Sequence, residues 1–229
     1  YEITCRDWSS ERVLFRSHMI KDTTEVQEQF PNTNIVGVEQ VTERGLVNEV
    51  YIVTTSRDKY VLRVDPEEED LERFKRETWC TDIALEKRIF TPKIYKIGQR
   101  EDKHPYMIME YIEGEDGDKT TDHTSRIWNT LGIYAKKLHN IHVTGYGGHM
   151  VSPGIFKDRW DNFLEYNISQ LTPDDRALSL GIFTLEESVA IKNVFETLKN
   201  KNLRLGLSHY DLAPKNTRVD KQEIGREHV

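Results

Sequence analysis

One short segment late in the sequence carries the most specific chemistry. It reads His209-x-Asp211-Leu-x-x-x-Asn216. When a phosphoryl group is transferred to a hydroxyl, a carboxylate orients the attacking O–H, and an amide oxygen nearby ligates Mg²⁺ on the phosphate side. A rigid loop can present both groups at this spacing, and Pro214 stiffens the chain between them. The spacing predicts that Asp211 orients a hydroxyl and that Asn216 binds the metal; a polar loop after a strand is the alternative explanation.

A candidate ion pair lies in the first half of the sequence. Residues 60–64 alternate like a strand and include Arg63, and Glu77 follows on a predicted helix. A cation that contacts nucleotide phosphates needs an acid behind it to hold its orientation. The pair is therefore a candidate for phosphate binding, and the alternative is a surface pair worth at most about 1 kcal/mol.

Two further segments could complete a nucleotide site. Gly45 and Asn48 lie at the turn between two predicted strands, where backbone N–H groups could approach a phosphate. The apolar run 106–112 leads into a flexible junction at Gly114. Its backbone is suited to holding an adenine edge by hydrogen bonds.

The secondary structure predicted around these residues changes from mainly strands to mainly helices near Gly114. Before it, runs rich in Val, Ile and Tyr predict strands, and the short turn at 56–59 predicts an antiparallel hairpin between the strands that flank it. One helix is expected over 67–89, because Pro66 suits a first helical position and Lys87 and Arg88 suit the last turn. The predicted strands are 34–41, 48–55, 60–64 and 106–112.

After Gly114 the apolar period becomes helical. Thr184 and Glu187 form a capping-box pattern that begins one helix, and the segment 116–122 has the composition of a linker. These patterns predict an α+β fold with an antiparallel sheet lobe over residues 1–113, including a helical lead-in over 1–33, and a mainly helical lobe over 114–229. The stripe of another core-facing helix is Ile127, Leu131, Tyr134, Leu138 and Ile141.

The composition is that of an ordinary folded protein. The chain has 229 residues, 37% of them hydrophobic, and a formal net charge of −7. This charge disfavours nucleic-acid binding, and no apolar run approaches the roughly 18 residues needed to span a membrane. Two cysteines, Cys5 and Cys80, make no disulfide framework, so we expect a reducing, cytoplasmic location.

In this order, the segments described above resemble the aminoglycoside phosphotransferase family, whose fold is similar to that of protein kinases. The resemblance covers roughly residues 34–220. It implies ATP- and Mg²⁺-dependent phosphorylation of a hydroxyl on an aminoglycoside, amino alcohol or sugar-like molecule. The implied roles are a catalytic base at Asp211, a Mg²⁺ ligand at Asn216, a phosphate-contacting cation at Arg63 with Glu77 as its partner, a phosphate-side turn at Gly45 and Asn48, and an adenine hinge at Met109, Glu110 and Tyr111.

The sequence also departs from the family pattern. Arg63 replaces the commoner lysine, and Tyr210 stands where the family usually has a small or amide residue. The family's second metal-binding aspartate, which follows the catalytic loop at 207–219, does not occur by Val229, so we expect the sequence to be truncated. Without that aspartate, a catalytically inactive nucleotide-binding scaffold remains the alternative function. The acceptor, the choice of ATP over GTP and the oligomeric state stay open.

Overall fold

A computed structural model defines residues 23–41, 48–66, 71–120, 124–199 and 201–219, together with the backbone of 227–228. These residues form two compact units, one comprising the defined residues up to 140 and from 208 onward, the other comprising 141–207. The division into lobes after residue 113 stays a prediction. None of the helices within the defined ranges is long and apolar enough to cross a membrane.

A five-stranded antiparallel sheet dominates the first unit. Its strand order is β1-β2-β3-β5-β4, and β2 and β3 form the hairpin predicted at the 56–59 turn, with Thr54 opposite Lys59. The predicted strands agree with β1, β2, β3 and β5 to within two residues at each end, whereas β4 was not predicted. The strands are β1 (Ile35–Val41), β2 (Glu49–Thr55), β3 (Lys59–Val64), β4 (Ile94–Gln99) and β5 (Pro105–Glu110).

Strand β3 is buried on both faces, and its alternation decides where Arg63 lies. Tyr60, Leu62 and Val64 belong to one apolar cluster, and Val61 belongs to a second cluster that contains Phe74 from the following helix. Because side chains on a strand alternate between faces, Arg63 lies on the face of Val61, toward that helix.

The helix α2 (Glu72–Glu86) is shorter than predicted at both ends. Pro66 does not begin it, since the residue preceding the helix is Leu71, and residues 67–70 lie outside the defined ranges. At the other end, Arg88 adopts a left-handed backbone with φ of 55°. A residue in this conformation ends a helix, so Lys87 and Arg88 follow the last turn instead of forming it.

The remaining elements defined in the first unit are two α-helices and three short strands. Helix α3 (Thr124–His139) buries four residues of the predicted stripe, Ile127, Leu131, Tyr134 and Leu138. The fifth, Ile141, is buried but follows the end of the helix. Two short strands, β6 and β9, pair with each other, and β9 also pairs with β10. These elements, with the first helix, are α1 (Thr24–Gln29), β6 (Glu115–Asp116), α3 (Thr124–His139), β9 (Arg218–Val219) and β10 (Glu227–His228).

The second unit combines a hairpin with helices. The predicted capping box is confirmed: the Thr184 N–H donates to Glu187 Oε2 at 2.7 Å, and the Glu187 N–H donates to Thr184 Oγ1 at 3.2 Å. The hydrogen bonds from Thr184 lower the pKa of Glu187 below its ordinary value. The elements are β7 (Tyr146–Ser152), β8 (Ile155–Asp158), α4 (Trp160–Gln170), α5 (Arg176–Ser179) and α6 (Leu185–Lys199).

Candidate functional site

Arg63 and Glu77 form a buried ion pair between β3 and α2. Arg63 Nη1 donates to Glu77 Oε1, and the two side chains are only 4% and 8% exposed. An unpaired charge at this depth would be costly, so each residue depends on the other. The pairing predicted from the sequence is therefore present in the structure, and it is a core pair instead of a surface pair.

The surroundings of Arg63 leave one of its donors unused. The guanidinium lies 5.5 Å from the ring centroid of Phe74, and Nη1 lies 4.0 Å from Met107 Sδ. Its Nε is buried and has no hydrogen-bond partner among the defined residues. Buried donors normally have partners, so this Nε–H is an unsatisfied donor inside the protein.

Asn48 belongs to a second polar network, which the sequence did not indicate. Its Oδ1 accepts a hydrogen bond from Arg73 Nη2 at 2.6 Å, and Arg73 Nη1 lies 2.7 Å from Asp65 Oδ2. The Asp65 side chain is 2% exposed, so this carboxylate is paired inside the protein. The network ties the start of β2 and the end of β3 to α2. Gly45 lies outside the defined residues, and its role stays a prediction.

The three predicted hinge residues lie at the end of β5. Met109 is buried opposite Val61, while Glu110 is exposed and its N–H donates to Lys93 O at 2.8 Å. The Tyr111 ring lies 5.1 Å from the ammonium of Lys59. Contact of these residues with adenine remains a prediction.

The predicted catalytic loop holds Asp211 and Asn216 together through a hydrogen bond. Asn216 Nδ2 donates to the Asp211 carbonyl oxygen at 2.8 Å. Asn216 Oδ1 is buried and has no hydrogen-bond partner within the part of the chain that the structure defines. The side-chain nitrogen therefore holds the loop, while the side-chain oxygen has no partner. Mg²⁺ prefers oxygen ligands of this kind.

A tight turn at Tyr210 precedes Asp211, the predicted catalytic residue. Tyr210 has φ of 69°, and the Asp211 N–H donates to the His209 carbonyl oxygen at 2.9 Å. A bond between residues two apart around a positive φ is a γ-turn of the rare, strained kind. Glycine and asparagine tolerate this φ better than tyrosine does, which gives a physical reason for small or amide residues at this position.

Lys215 is a cation within the same loop, next to Asn216. Its Nζ lies 3.3 Å from Asp211 Oδ2, and the two side chains are 50% and 23% exposed. Lys215 sits in a short 3₁₀ turn, Pro214–Asn216. No feature of the sequence pattern singled it out.

His209 connects the loop electrostatically with Glu77. Both of its ring nitrogens are buried without a hydrogen-bond partner among the defined residues. Burial lowers the pKa of His209, and the negative charges of Asp211 and Glu77 oppose this shift without reversing it. His209 is thus a neutral ring at neutral pH that lies within electrostatic range of both carboxylates.

A buried ion pair anchors the strand that follows the loop. Asp116 Oδ1 lies 2.6 Å from Arg218 Nη1, and the Asp116 side chain is completely buried. Lys119 Nζ lies 3.3 Å from the other oxygen of Asp116. Residue 116 is thus a structural anchor in β6, although the composition of 116–122 had suggested a linker.

The described part of the site contains one candidate metal ligand, Asn216, and no cluster of acidic or imidazole ligands. Within the defined ranges, no group of three or more His, Cys, Asp or Glu side chains is arranged to hold a metal ion. The free Oδ1 of Asn216 is compatible with Mg²⁺, which binds few protein ligands and keeps several waters.

Comparison with known proteins identifies the fold and the family. A model of the APH phosphotransferase enzyme family matches residues 39–225. Among solved structures, the apo form of a thermostable mutant of aminoglycoside phosphotransferase APH(4)-Ia has a TM-score of 0.60 and 15% identity, covering 90% of this chain and 68% of its own. A ternary complex of that protein with AMP-PNP and hygromycin B has a TM-score of 0.59 and 14% identity, with coverages of 87% and 67%.

A third structure extends the range of relatives. A protein from Haemophilus somnus 129PT, provisionally assigned as a fructosamine-3-kinase, has a TM-score of 0.50 and 17% identity, covering 80% of this chain and 62% of its own. No curated protein sequence matches. The chain spans about two thirds of the length of these structures. The predicted kinase-like α+β fold is confirmed, and the chain belongs to the APH phosphotransferase enzyme family.

Proposed function

We propose that this protein is an ATP- and Mg²⁺-dependent kinase that phosphorylates a hydroxyl of a small molecule. The observation that carries the proposal is the catalytic loop, in which Asn216 fixes the Asp211 backbone while its own side-chain oxygen stays unpaired. The buried Arg63–Glu77 pair supplies the cation on the nucleotide side. Family membership supports phosphoryl transfer, and a structural neighbour bound to AMP-PNP supports ATP as the donor.

Asp211 and Asn216 would have different roles in the reaction. The carboxylate of Asp211 accepts the hydrogen bond of the acceptor hydroxyl and thereby aims its oxygen at the γ-phosphorus. A bond forms between that oxygen and the phosphorus, the bond to the bridging oxygen of ADP breaks, and the hydroxyl proton passes to Asp211. Asn216 Oδ1 would hold Mg²⁺, which when bound neutralises charge on the phosphates.

The acceptor belongs to the amino alcohols, aminoglycosides or sugar-like alcohols. One structural neighbour was solved with hygromycin B, and another is provisionally a fructosamine-3-kinase. The proposed acceptor class therefore rests on family membership.

An ADP-release assay of the full-length protein against a panel of these alcohols tests the proposal. We expect turnover with at least one acceptor, and a loss of about 10²- to 10⁴-fold in kcat for Asp211→Asn with nucleotide affinity nearly unchanged. Asp161→Asn is the matched control, because Asp161 forms an exposed pair with Arg159. Nucleotide binding without turnover on any acceptor would instead support the inactive scaffold, and unchanged turnover in Asp211→Asn would remove this residue from the mechanism.

A further inference from the structure

Lys215 occupies a position that the proposed mechanism leaves without a role. Its ammonium lies 3.3 Å from Asp211 Oδ2, the carboxylate that would receive the acceptor hydroxyl. That oxygen atom is itself buried. The ammonium therefore helps to cover the oxygen that an acceptor hydroxyl would use.

The backbone of the loop is fixed around this lysine. The Asn216 N–H donates to Ala213 O at 2.9 Å, and Thr217 Oγ1 donates to Pro214 O at 2.8 Å. Half of the Lys215 side chain is nevertheless exposed. A lysine carries a compact charge on a flexible four-carbon stem, so the ammonium can change partners while the loop stays in place.

Among the residues that the structure describes, the other cations on the nucleotide side are held in place by protein partners. Arg63 is buried against Glu77, and Arg73 bridges Asp65 and Asn48. A γ-phosphoryl group placed close to Asp211 would also meet a negative carboxylate, which repels it. A mobile cation between the two charges removes this repulsion.

We propose that Lys215 exchanges partners when a nucleoside triphosphate binds: its ammonium leaves Asp211 and contacts the γ-phosphoryl group. The inference rests on the proposed function. The exchange would uncover Asp211 Oδ2 for the acceptor hydroxyl only when the phosphoryl group is in place. Lys215 is then a catalytic residue that distinguishes the triphosphate from the diphosphate.

Binding of two nucleotides to the full-length protein tests this exchange. With Mg²⁺ present, Lys215→Met should weaken the Kd for AMP-PNP by about tenfold and leave the Kd for ADP within about twofold, because only AMP-PNP carries the γ-position. Lys215→Arg keeps the charge and should restore most of the AMP-PNP affinity. Calorimetric titration measures both constants without requiring an acceptor.

Lys119→Met is the matched control. Lys119 Nζ also lies 3.3 Å from an aspartate oxygen, that of Asp116, but it is not part of the proposed nucleotide site. Its substitution should change neither Kd. Equal losses for ADP and AMP-PNP in Lys215→Met, or no loss for either, would overturn the exchange while leaving the proposed function intact. Failure of the unmodified protein to bind either nucleotide would overturn both.

Discussion

Substitutions in the ion pair between Arg63 and Glu77 should affect folding stability and nucleotide binding differently. Both side chains are less than a tenth exposed. Removing one partner leaves an uncompensated charge in the core, so Glu77→Leu and Arg63→Met should each lower the free energy of unfolding by about 3–5 kcal/mol. That is a large fraction of the roughly 5–15 kcal/mol by which typical domains are stable.

Replacing both partners should behave differently from replacing one. The double variant Arg63→Met/Glu77→Leu places apolar side chains beside Phe74 and Met107, which already contact this position. Since a buried ion pair is often no more stabilising than apolar residues of similar volume, the double variant should recover to within about 2 kcal/mol of the unmodified protein. Its AMP-PNP affinity should nevertheless stay low, because the phosphate-contacting cation is gone.

Urea unfolding followed by circular dichroism, together with calorimetric titration of AMP-PNP, measures both quantities. Lys75→Met provides the stability control: Lys75 Nζ lies 2.7 Å from Glu72 Oε1, but both side chains are about half exposed, so the cost should stay below about 1 kcal/mol. If Arg63→Met and Glu77→Leu each lower the free energy of unfolding as little as Lys75→Met does, the pair does not behave as a buried one. Full AMP-PNP affinity in the stable double variant would refute the role of Arg63 in phosphate binding.

Three further predictions concern the catalytic loop and its anchor. Asp116→Asn removes the charge that neutralises Arg218 inside the protein and should lower the free energy of unfolding by about 3 kcal/mol in urea titrations. Burial lowers the pKa of His209 in the folded protein, so the unfolded state takes up a proton first as the pH falls. Thermal stability should therefore be fully present above about pH 6.5, the ordinary pKa of histidine, and should decline below it. His209→Gln should reduce that decline in melting curves recorded from pH 7.5 to 5. Tyr210→Gly relieves a strained φ of 69° and should raise the free energy of unfolding by up to about 1 kcal/mol, whereas an equal Tyr210→Ala effect would show that φ is not the cause.

The parts of the fold that were predicted from the sequence depend on local patterns. The helical stripe that begins at Ile127 predicted α3, and the Thr184–Glu187 pattern predicted the start of α6. Both signals are local, because capping and burial are encoded within a few residues. Strand β4 was not predicted because Lys96, Gly98 and Gln99 interrupt its apolar alternation, whereas β1, at the other edge of the sheet, is richer in valine.

The parts of the site that escaped prediction depend on contacts between distant residues. Asp116 and Arg218 are separated by 102 positions, so neither local segment predicts that the two residues form a pair. Arg73 likewise bridges Asn48 and Asp65 across α2 and two strands. The motif from His209 onward was recognisable because the chemistry itself fixes a short spacing, whereas the residues that hold this motif in place have no such constraint.

The geometry of the catalytic loop explains why a strained residue is retained at its centre. The positive φ of Tyr210 turns the chain sharply, so that Tyr210 is 69% exposed while polar atoms of both neighbours, His209 and Asp211, are buried. In an extended chain the carbonyl of His209 and the N–H of Asp211 would not bond to each other, as they do here at 2.9 Å. Strain of this kind persists where surrounding contacts over-determine the backbone, and here the Asn216–Asp211 hydrogen bond supplies such a contact. The same turn that strains Tyr210 therefore links the backbone of a neutral histidine directly to that of the proposed base.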